Sequence, residues 1–484
     1  MTQAPATMPK NGLPHDRILK MMKAAAADDA DYRRGRTWSL VYYLGNAHTR
    51  FLQRAYNLFF SENALNPMAF LSLKRFEADV VRMTASMLHG DANVVGTMTS
   101  GGTESCLLAV KTYRDFARAT RPRVKRPEMI VPESIHVAFE KAAEYFGVKA
   151  VHAPLGKDFR VNVRAVKKLI NRNTILLVGS APSYPHGVVD PIEELGRLAR
   201  RRRLPLHVDS CLGGFLLPFV EQLGYDVPVF DFRAPGVTSM SADVHKYGFA
   251  AKGASVVLYR RMEIMQHQFF VYENWPGGVF ASPALLGTRP GGATAAAWAA
   301  IHAQGEGGYR RNAQTIMKIT RQLQDGVNAI PGLRVLGAPA MSVFAFASTT
   351  PEVNILAVGD RLEEKGWHVD RQQRPDSLHA MVTPWHEKVA AQYLADLREA
   401  VAWAKADPSR ALKGGAAMYG MISSIPWRGM VKKSVLKMMI DMYGPAGKMP
   451  ALDGDDDADW AAKAGLLYLK LKNRVEKYRR RGAR

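Results

Sequence analysis

The strongest constraint on the fold is a regular alternation of apolar strands and helices in the first half of the chain. Short apolar runs at residues 128–131, 148–152, 174–178 and 204–208 are separated by segments of helical character. These runs are largely apolar rather than apolar at every second position, which is typical of strands buried on both faces of a sheet. The alternation predicts a mostly parallel α/β sheet with helices packed against it.

Two residues near the ends of these strands are candidates for chemistry. In an open parallel sheet, ligands bind beyond the carboxyl ends of the strands. Asp209 directly follows the last run, and His136 stands at the start of the helix after the first. We expect both at the rim of the sheet, where Asp209 could meet a ligand, although each could instead serve only as a cap, turn or core residue.

A lysine between two further predicted strands is the main candidate for covalent chemistry. Lys246 belongs to residues 241–248, SADVHKYG, between apolar runs at 237–240 and 254–259. A lysine held in surroundings of low polarity has a lowered pKa and becomes nucleophilic, which suits Schiff-base formation. Alone, the same pattern would also describe an ordinary surface lysine.

Two helix starts carry polar signals of different kinds. Residues 100–105, SGGTES, open a helix with small residues. Free backbone N–H groups at the positive end of such a helix favour a phosphate, and the hydroxyls of Thr103 and Ser105 could add donors, unless the motif is only a cap. Asp190 precedes another helix that has Glu193 at its third position, as in a capping box.

Together these residues indicate a site for pyridoxal phosphate. This cofactor binds to a lysine and needs an acid opposite its ring nitrogen, a cradle for its phosphate and a flat group against its ring. Lys246, Asp209, residues 100–105 and His136 offer one candidate for each requirement. We predict no metal site.

The chain is long enough to form more than one domain. We predict an N-terminal arm at residues 1–60, a large cofactor-binding domain at 61–305 and a smaller α+β domain with a basic tail at 306–484. The second boundary rests on a glycine-rich change of composition after a helix of small residues.

Composition excludes some classes of protein. No apolar run approaches about 18 residues, the length of a membrane span, and no signal peptide is visible. Two cysteines, Cys106 and Cys211, give no disulfide framework, so we expect a cytoplasmic protein. The net charge is +22, from 66 basic and 44 acidic residues, but it is spread out, and we expect no nucleic-acid partner. The basic residues 470–484 could touch a membrane surface transiently.

The motifs, taken in order, resemble those of the pyridoxal-phosphate-dependent sphingosine-1-phosphate lyases within the group II decarboxylase family. The resemblance covers residues 38–422 and implies the aminotransferase-like fold type I, an α/β fold with a smaller α+β C-terminal domain. CLGGF at 211–215 and RPGG at 289–292 point to the lyase branch. The matching segments are 100–105 (SGGTES), 136–142 (HVAFEKA), 185–191 (PHGVVDP), 207–215 (HVDSCLGGF), 243–248 (DVHKYG) and 282–292 (SPALLGTRPGG).

The resemblance implies roles for the site residues. Lys246 would carry the cofactor as a Schiff base, Asp209 would keep its ring nitrogen protonated, and His136 would stack on its ring. Thr288 would reach the phosphate from the other subunit of a homodimer, so that the active sites are shared. The residues implied around the cofactor, most of them at its phosphate, are Gly101, Gly102, Thr103, Cys211, Ser241 and His245.

The implied reaction is retro-aldol cleavage of a phosphorylated sphingoid base into a long-chain aldehyde and phosphoethanolamine. Tyr42 and Lys252 match residues near the substrate's phosphate and reacting hydroxyl, and either of them, or the freed Lys246, could be the base. The chain departs from the family at Asn66 in NALNP, where the family has a histidine that helps to hold the substrate phosphate. An amide can donate a hydrogen bond there but carries no positive charge.

Two other functions remain open from the sequence. The same cofactor apparatus could decarboxylate an amino acid, which would require a pocket for a carboxylate rather than a phosphate. A non-catalytic basic protein could instead bind membrane or nucleic acid through residues 470–484. Product analysis separates the two enzymes, and visible absorbance of a bound cofactor would argue against the binding protein.

Overall fold

The structure, a computed structural model, describes residues 8–27 and 29–445. The basic tail at 470–484 and the first residues of the N-terminal arm lie outside the described residues. The strands are β1 (Val95–Thr99), β2 (Glu128–Pro132), β3 (Lys149–Ala153), β4 (Thr174–Ser180), β5 (Leu206–Asp209), β6 (Val237–Ala242), β7 (Ser255–Tyr259), β8 (Phe270–Tyr272), β9 (Phe280–Ser282), β10 (Leu333–Val335), β11 (Val343–Ser348), β12 (Asp370–Gln372) and β13 (Ser377–Met381). The helices are α1 (His15–Ala25), α2 (Asn46–Asn57), α3 (Leu71–Met87), α4 (Gly102–Thr120), α5 (Ala138–Phe146), α6 (Val163–Leu169), α7 (Ile192–Arg202), α8 (Leu217–Gln222), α9 (Met262–Met265), α10 (Gly291–Asn328), α11 (Ile355–Glu364), α12 (Ala390–Ala406), α13 (Gly414–Ser424) and α14 (Arg428–Tyr443).

A seven-stranded sheet forms the centre of the molecule, in the order β1-β7-β6-β5-β4-β2-β3. Strands β6, β5, β4, β2 and β3 pair in parallel, and β7 is antiparallel to both of its neighbours. The predicted mostly parallel α/β sheet is therefore confirmed. Every residue of β2, β4 and β5 is buried, which explains why their sequences are apolar rather than alternating.

Neighbouring residues of the central strands pack on opposite faces of this sheet. Ile130 and Leu177 belong to a core cluster that includes residues of α7, whereas Met129 and Leu176 belong to one that includes residues of α4 and α5. Burial of each such side chain contributes roughly 1.5–3 kcal/mol. Helices thus cover both faces, and the carboxyl edge of the sheet is where a ligand can enter.

A second sheet, antiparallel and in the order β10-β11-β13-β12, lies in the C-terminal part of the chain. Phe344 and Phe346 of β11 pack in a core with residues of α11 and α12. Asn354 caps α11 through two backbone N–H groups of its first turn, a contribution of about 1 kcal/mol. The predicted smaller α+β part is confirmed. The domain boundary at residue 305 stays a prediction. This residue lies inside α10, which continues past a kink at Gly305, where φ is 53°.

Part of the N-terminal segment packs against this C-terminal region. Trp38 is fully buried and stacks on Trp367 and His386, with ring centroids 5.9 and 4.4 Å apart. The segment after Trp38 is thereby led towards the edge of the central sheet, where Tyr42 lies in contact with Tyr247.

The described helices include none with both the length and the apolar character that a bilayer crossing requires.

The capping box predicted at Asp190 is wrong. The residue at the start of α7 is Pro191, without a side-chain cap, and Asp190 is fully buried. Its carboxylate accepts hydrogen bonds from the N–H groups of Val161 (2.8 Å) and Ser180 (2.9 Å). Burial raises the pKa of Asp190 to about 6, although these hydrogen bonds oppose the shift. Asp190 therefore joins the end of β4 to the loop before α6.

Candidate active site

A cavity of about 490 Å³ opens at the carboxyl edge of the central sheet. Pairing of β4, β5 and β6 puts Ser180, Asp209 and Ser241 side by side as cross-strand partners. The chain reversals after β1 and β6 bring two further segments to the same edge. The lining residues are Ser100, Gly101, Gly102, Thr103, Glu104, Cys106, His136, Ser180, Pro182, Tyr184, Asp209, Cys211, Leu212, Asp243, His245, Lys246, Lys252 and Gly253.

Lys246 lies in the turn between β6 and β7, and its Nζ is 2.9 Å from Oδ2 of Asp243, whose side chain is 1% exposed. Burial opposes the charge of the ammonium, but the attraction of Asp243 outweighs it, so the pKa of Lys246 is raised well above its usual value. The lowered pKa expected from the sequence is wrong for the free protein, because the turn brings a buried acid against the amine.

Asp209 is the last residue of β5 and lines the cavity. Its Oδ1 accepts hydrogen bonds from the N–H of Cys211 (3.1 Å) and the hydroxyl of Ser241 (3.3 Å). Cys211 in turn donates its thiol to the Ser241 hydroxyl oxygen at 3.3 Å. Ser241, expected from the resemblance at the cofactor's phosphate, is fully buried behind Asp209 and holds that carboxylate in place.

Helix α4 begins at the cavity with Gly102. A Cβ at this position would lie 2.7 Å from the Asp243 carboxylate and 2.9 Å from Sγ of Cys211, so only glycine fits. The first turn of α4 thus lies at the cavity wall, where its backbone N–H groups favour an anion. His245 also lines this cavity, and its Nδ1 lies 2.7 Å from the carbonyl oxygen of Ala254. Because a carbonyl oxygen only accepts, Nδ1 is the nitrogen that carries a proton.

His136 stands on the rim just before α5. Its Nδ1 accepts a hydrogen bond from the N–H of Ala138 at 3.2 Å, which fixes the ring at the helix start. Tyr184 meets it edge-on, with ring centroids 6.3 Å apart, and lines the same cavity. The cavity therefore has flat aromatic groups along one side.

Lys252 and Tyr42 meet at the opposite rim. Nζ of Lys252 donates to the carbonyl oxygen of Leu40 at 2.8 Å and lies 5.1 Å from the ring centre of Tyr42. Burial lowers the pKa of Lys252 to about 8, helped by the charge of Lys246. Burial also raises the pKa of Tyr42 well above its usual value, although Lys246 opposes that shift.

Two site residues expected from the resemblance lie elsewhere. Asn66 and Thr288 are both exposed and are not among the residues that line the cavity. They belong to neighbouring loops, since Nδ2 of Asn63 donates to the Thr288 hydroxyl at 3.2 Å.

Several lining residues were given no role from the sequence, among them Asp243, Tyr184 and Cys106. The position of Asp243, three residues before Lys246 in a turn between strands, was a usable signal. Cys106, just after the predicted start of α4, was another. Tyr184 had none, because its proximity to the site depends on the sheet order. Within the described residues, polar atoms of Cys106, Asp209 and Cys211 lie within 4.8 Å of one another, and hydrogen bonds to Ser241 already engage Asp209 and Cys211.

The residues present fit pyridoxal phosphate. An amine, Lys246, and a carboxylate, Asp209, line one cavity with an open helix start at Gly102 and the ring of His136. These groups match the attachment, ring nitrogen, phosphate and ring face of the cofactor.

Comparison with known proteins agrees with this fit. Residues 70–348 match the family described as "Pyridoxal-dependent decarboxylase conserved domain". A glutamate decarboxylase of Lactobacillus brevis, 20% identical, superposes with a TM-score of 0.72 over 82% of this chain and 95% of its own, which shows a shared fold. Fold, cavity and family match define a pyridoxal-phosphate-dependent enzyme.

Closer relatives specify the group within that family. A sphingosine-1-phosphate lyase of Oryza sativa subsp. japonica is 45% identical over 440 residues, 89% of this chain and 81% of its own. The structure of a sphingosine-1-phosphate lyase of Burkholderia pseudomallei is 38% identical and superposes with a TM-score of 0.83, over 91% of this chain and 97% of that one. The chain belongs to the sphingosine-1-phosphate lyases within the pyridoxal-dependent decarboxylase family, as its motifs suggested.

Proposed function

We propose that this lyase cleaves phosphorylated sphingoid bases by a retro-aldol reaction into a long-chain aldehyde and phosphoethanolamine. The observation that carries the proposal is one cavity that holds Lys246, Asp209 and Lys252, in a chain 45% identical to a sphingosine-1-phosphate lyase over most of its length. The positive groups at the rim would attract an anionic head group.

The test is incubation of the purified protein with sphingosine 1-phosphate, followed by assay for a long-chain aldehyde. Unphosphorylated sphingosine is the control, because it lacks only the anionic group. Carbon dioxide released from amino acids, without aldehyde from the phosphorylated base, would favour a decarboxylase and contradict the proposal.

In this proposal each site residue has one task. Lys246 binds the cofactor through its ε-amine, Asp209 keeps the cofactor's ring nitrogen protonated, and His136 packs against the ring. Bound pyridoxal phosphate supplies an electron sink for the bond that breaks. The groups assigned to its phosphate are the start of α4, with Gly102 and Thr103, together with His245, and Gly101 and Cys211 complete the residues around the cofactor.

Lys252 is the base that we assign to the substrate hydroxyl. A general base works best when its pKa lies near the working pH, and burial lowers the pKa of Lys252 to about 8. Tyr42 is less suited to the same task, because burial raises the pKa of its hydroxyl well above the usual value. Its contact with Lys252 supports a role in positioning.

The pH dependence of turnover follows from this assignment. Neutral Lys252 accepts the proton, so kcat should rise as pH increases through about 8 and then level off. Lys252→Arg keeps the positive charge but cannot lose its proton at these pH values, and its turnover should fall by about 10²–10⁴-fold. A pH series of kcat for both enzymes checks this.

Tyr42→Phe is the matched control for that series. It removes a hydroxyl from the same rim and should keep the rise near pH 8. An unchanged rise in Lys252→Arg would remove Lys252 from the role of base.

We also infer that two subunits share their active sites. The turn at 63–67 and the hairpin β8–β9 line one largely apolar cleft of about 260 Å³. Near it, Leu65 is 38% and Phe270 55% exposed, as an interface with another protein would require. Asn66 and Thr288 lie near this cleft and do not line the active-site cavity of their own subunit. In a dimer they could therefore contact the active-site cavity of the partner subunit.

Mixing two inactive variants tests the shared sites. Thr288→Asp places a negative charge where the partner's cofactor phosphate would lie, and Lys246→Ala removes the attachment point. Random mixing makes half of the dimers mixed, each with one intact site, so about one quarter of full activity should return. Turnover after joint refolding is the measurement, and no recovery would contradict sharing through Thr288.

The location that we propose is the cytoplasm, with contact to a membrane surface. Both cysteines are free and buried, as in proteins of reducing compartments. Helix α14 has no buried residue, exposes Leu436 and Ile440, and carries Lys433 and Lys437. Apolar and basic residues together favour an anionic lipid surface. Cosedimentation with anionic but not with neutral vesicles is expected, and equal recovery in the supernatant would contradict it.

A further inference from the structure

Asp243 is a buried acid for which the reaction proposed above has no use. Its side chain is 1% exposed, and the polar groups beside it are the Lys246 ammonium and the Ser255 hydroxyl. A buried carboxylate is costly, and it is retained in native proteins mainly where a charge or a ligand compensates. Here the ammonium of Lys246, 2.9 Å away, is the compensating charge.

The position of Asp243 is the position expected for an anion. Its carboxylate lies directly against Gly102, the first residue of α4, and 3.8 Å from Nε2 of His245. These are the groups assigned above to the cofactor's phosphate. The acid and the phosphate would therefore be neighbours in one cavity.

Cofactor attachment removes the compensation. Lys246 gives up its free ammonium when it carries the cofactor, and a phosphate arrives beside the carboxylate. Two anions in contact inside a protein are strongly disfavoured unless one of them binds a proton. A protonated carboxyl also gains a donor that can satisfy a phosphate oxygen.

We propose that, when pyridoxal phosphate binds, Asp243 takes the proton that the Lys246 ammonium gives up as its amine joins the cofactor, and then donates a hydrogen bond to the cofactor's phosphate. This proton thereby stays inside the site, whatever amine the loaded enzyme goes on to cleave. The inference goes beyond the proposed reaction and does not depend on its substrate.

The electrostatics of the free protein support this assignment. Burial opposes the charge of Asp243, but Lys246 and His245 outweigh it and hold the pKa of Asp243 below its usual value. Once the ammonium is gone, burial and the phosphate both act to raise that pKa. The titratable groups that surround Asp243 are His245 and Lys246 on its own turn, Lys252 on the loop that follows, Asp209 and Cys211 at the end of β5, Cys106 on α4 and Tyr42 on the N-terminal segment.

The test compares cofactor binding by the wild type and by Asp243→Asn as a function of pH. An amide donates without titrating, so the variant imitates the protonated acid. Its affinity for pyridoxal phosphate should match that of the wild type at low pH. In the variant the Lys246 proton must leave to solvent, which becomes easier as pH rises, so the wild type should fall behind the variant, approaching about tenfold per pH unit, the slope for one linked proton. Titration of the protein absorbance gives both dissociation constants without any measurement of turnover.

Three controls make the result specific. Asp115→Asn makes the same substitution elsewhere on α4, at a half-buried carboxylate that does not line the cavity, and should follow the wild type. Free pyridoxal, which lacks the phosphate, should show no growing gap between wild type and Asp243→Asn. Asp243→Ser, a smaller donor, repeats the test if the asparagine variant folds poorly, as judged by circular dichroism.

Calorimetry provides an independent readout. Binding enthalpies measured in buffers of different ionisation heat give the number of protons taken up, which should be about one larger for the wild type than for Asp243→Asn. An affinity ratio that stays constant with pH, or equal proton numbers for the two proteins, would overturn the proposal.

Discussion

Replacement of Lys246 by alanine should leave an enzyme that no longer holds its cofactor covalently, with turnover lowered by on the order of 10³-fold or more. Lys246 lines the cavity together with Asp209, whereas Lys252, the other lysine of the lining, is in contact with the Leu40 carbonyl. Borohydride reduction followed by intact-mass measurement should add the cofactor to the wild type and not to the variant.

Lys252→Ala is the matched control, since it removes the other amine of the same cavity. This variant should keep the covalent cofactor while it loses turnover. Covalent cofactor in Lys246→Ala would contradict the assignment of Lys246, and its loss in Lys252→Ala would show that the two lysines have been assigned in the wrong order.

Lys246→Ala should also be less stable than the wild type when neither protein holds the cofactor. Loss of Lys246 leaves the Asp243 carboxylate buried without its counter-charge, and breaking a buried ion pair in this way costs about 3–5 kcal/mol. The deficit should shrink as pH falls, because protonation removes the uncompensated charge of Asp243. Thermal unfolding of the two apo proteins at several pH values measures the difference.

The sequence was informative where one local rule decided the outcome. The apolar runs at 174–178 and 204–208 predicted buried parallel strands, because a strand covered on both faces has no solvent side to make polar. The position of Asp209 followed from the rule that parallel strands present their carboxyl ends together. The small residues at 100–105 likewise predicted the start of α4 within the site.

Long-range contacts were beyond such rules. Asp190 has the spacing of a helix cap, yet the fold turns it inward to the N–H of Val161, 29 positions away in the chain. The effect of Asp243 on the pKa of Lys246 depends on a turn geometry that pattern alone does not fix. Tyr184 follows β4, and the pairing of β4 with β5 brings it to the cavity. No single segment of the sequence determines the order of the strands in a sheet.

Replacement of Asp209 by asparagine should lower turnover by on the order of 10²–10³-fold while the cofactor stays attached to Lys246. A carboxylate favours a protonated ring nitrogen, whereas an amide of the same shape carries no charge to hold that proton. The bound cofactor's visible spectrum should shift with its ring protonation, and kcat measured on the same samples links the two effects.

Ser241→Ala separates the charge of Asp209 from its position. It removes the 3.3 Å hydrogen bond to Oδ1 and leaves the one from the Cys211 N–H. One such bond contributes about 0.5–1.5 kcal/mol, so turnover should fall by about tenfold or less. If Asp209→Asn and Ser241→Ala lost turnover equally, the position of the Asp209 side chain, and not its charge, would be what the reaction requires. A wild-type rate in Asp209→Asn would mean that the ring nitrogen needs no acid at all, and the chemistry proposed for this cavity would fail.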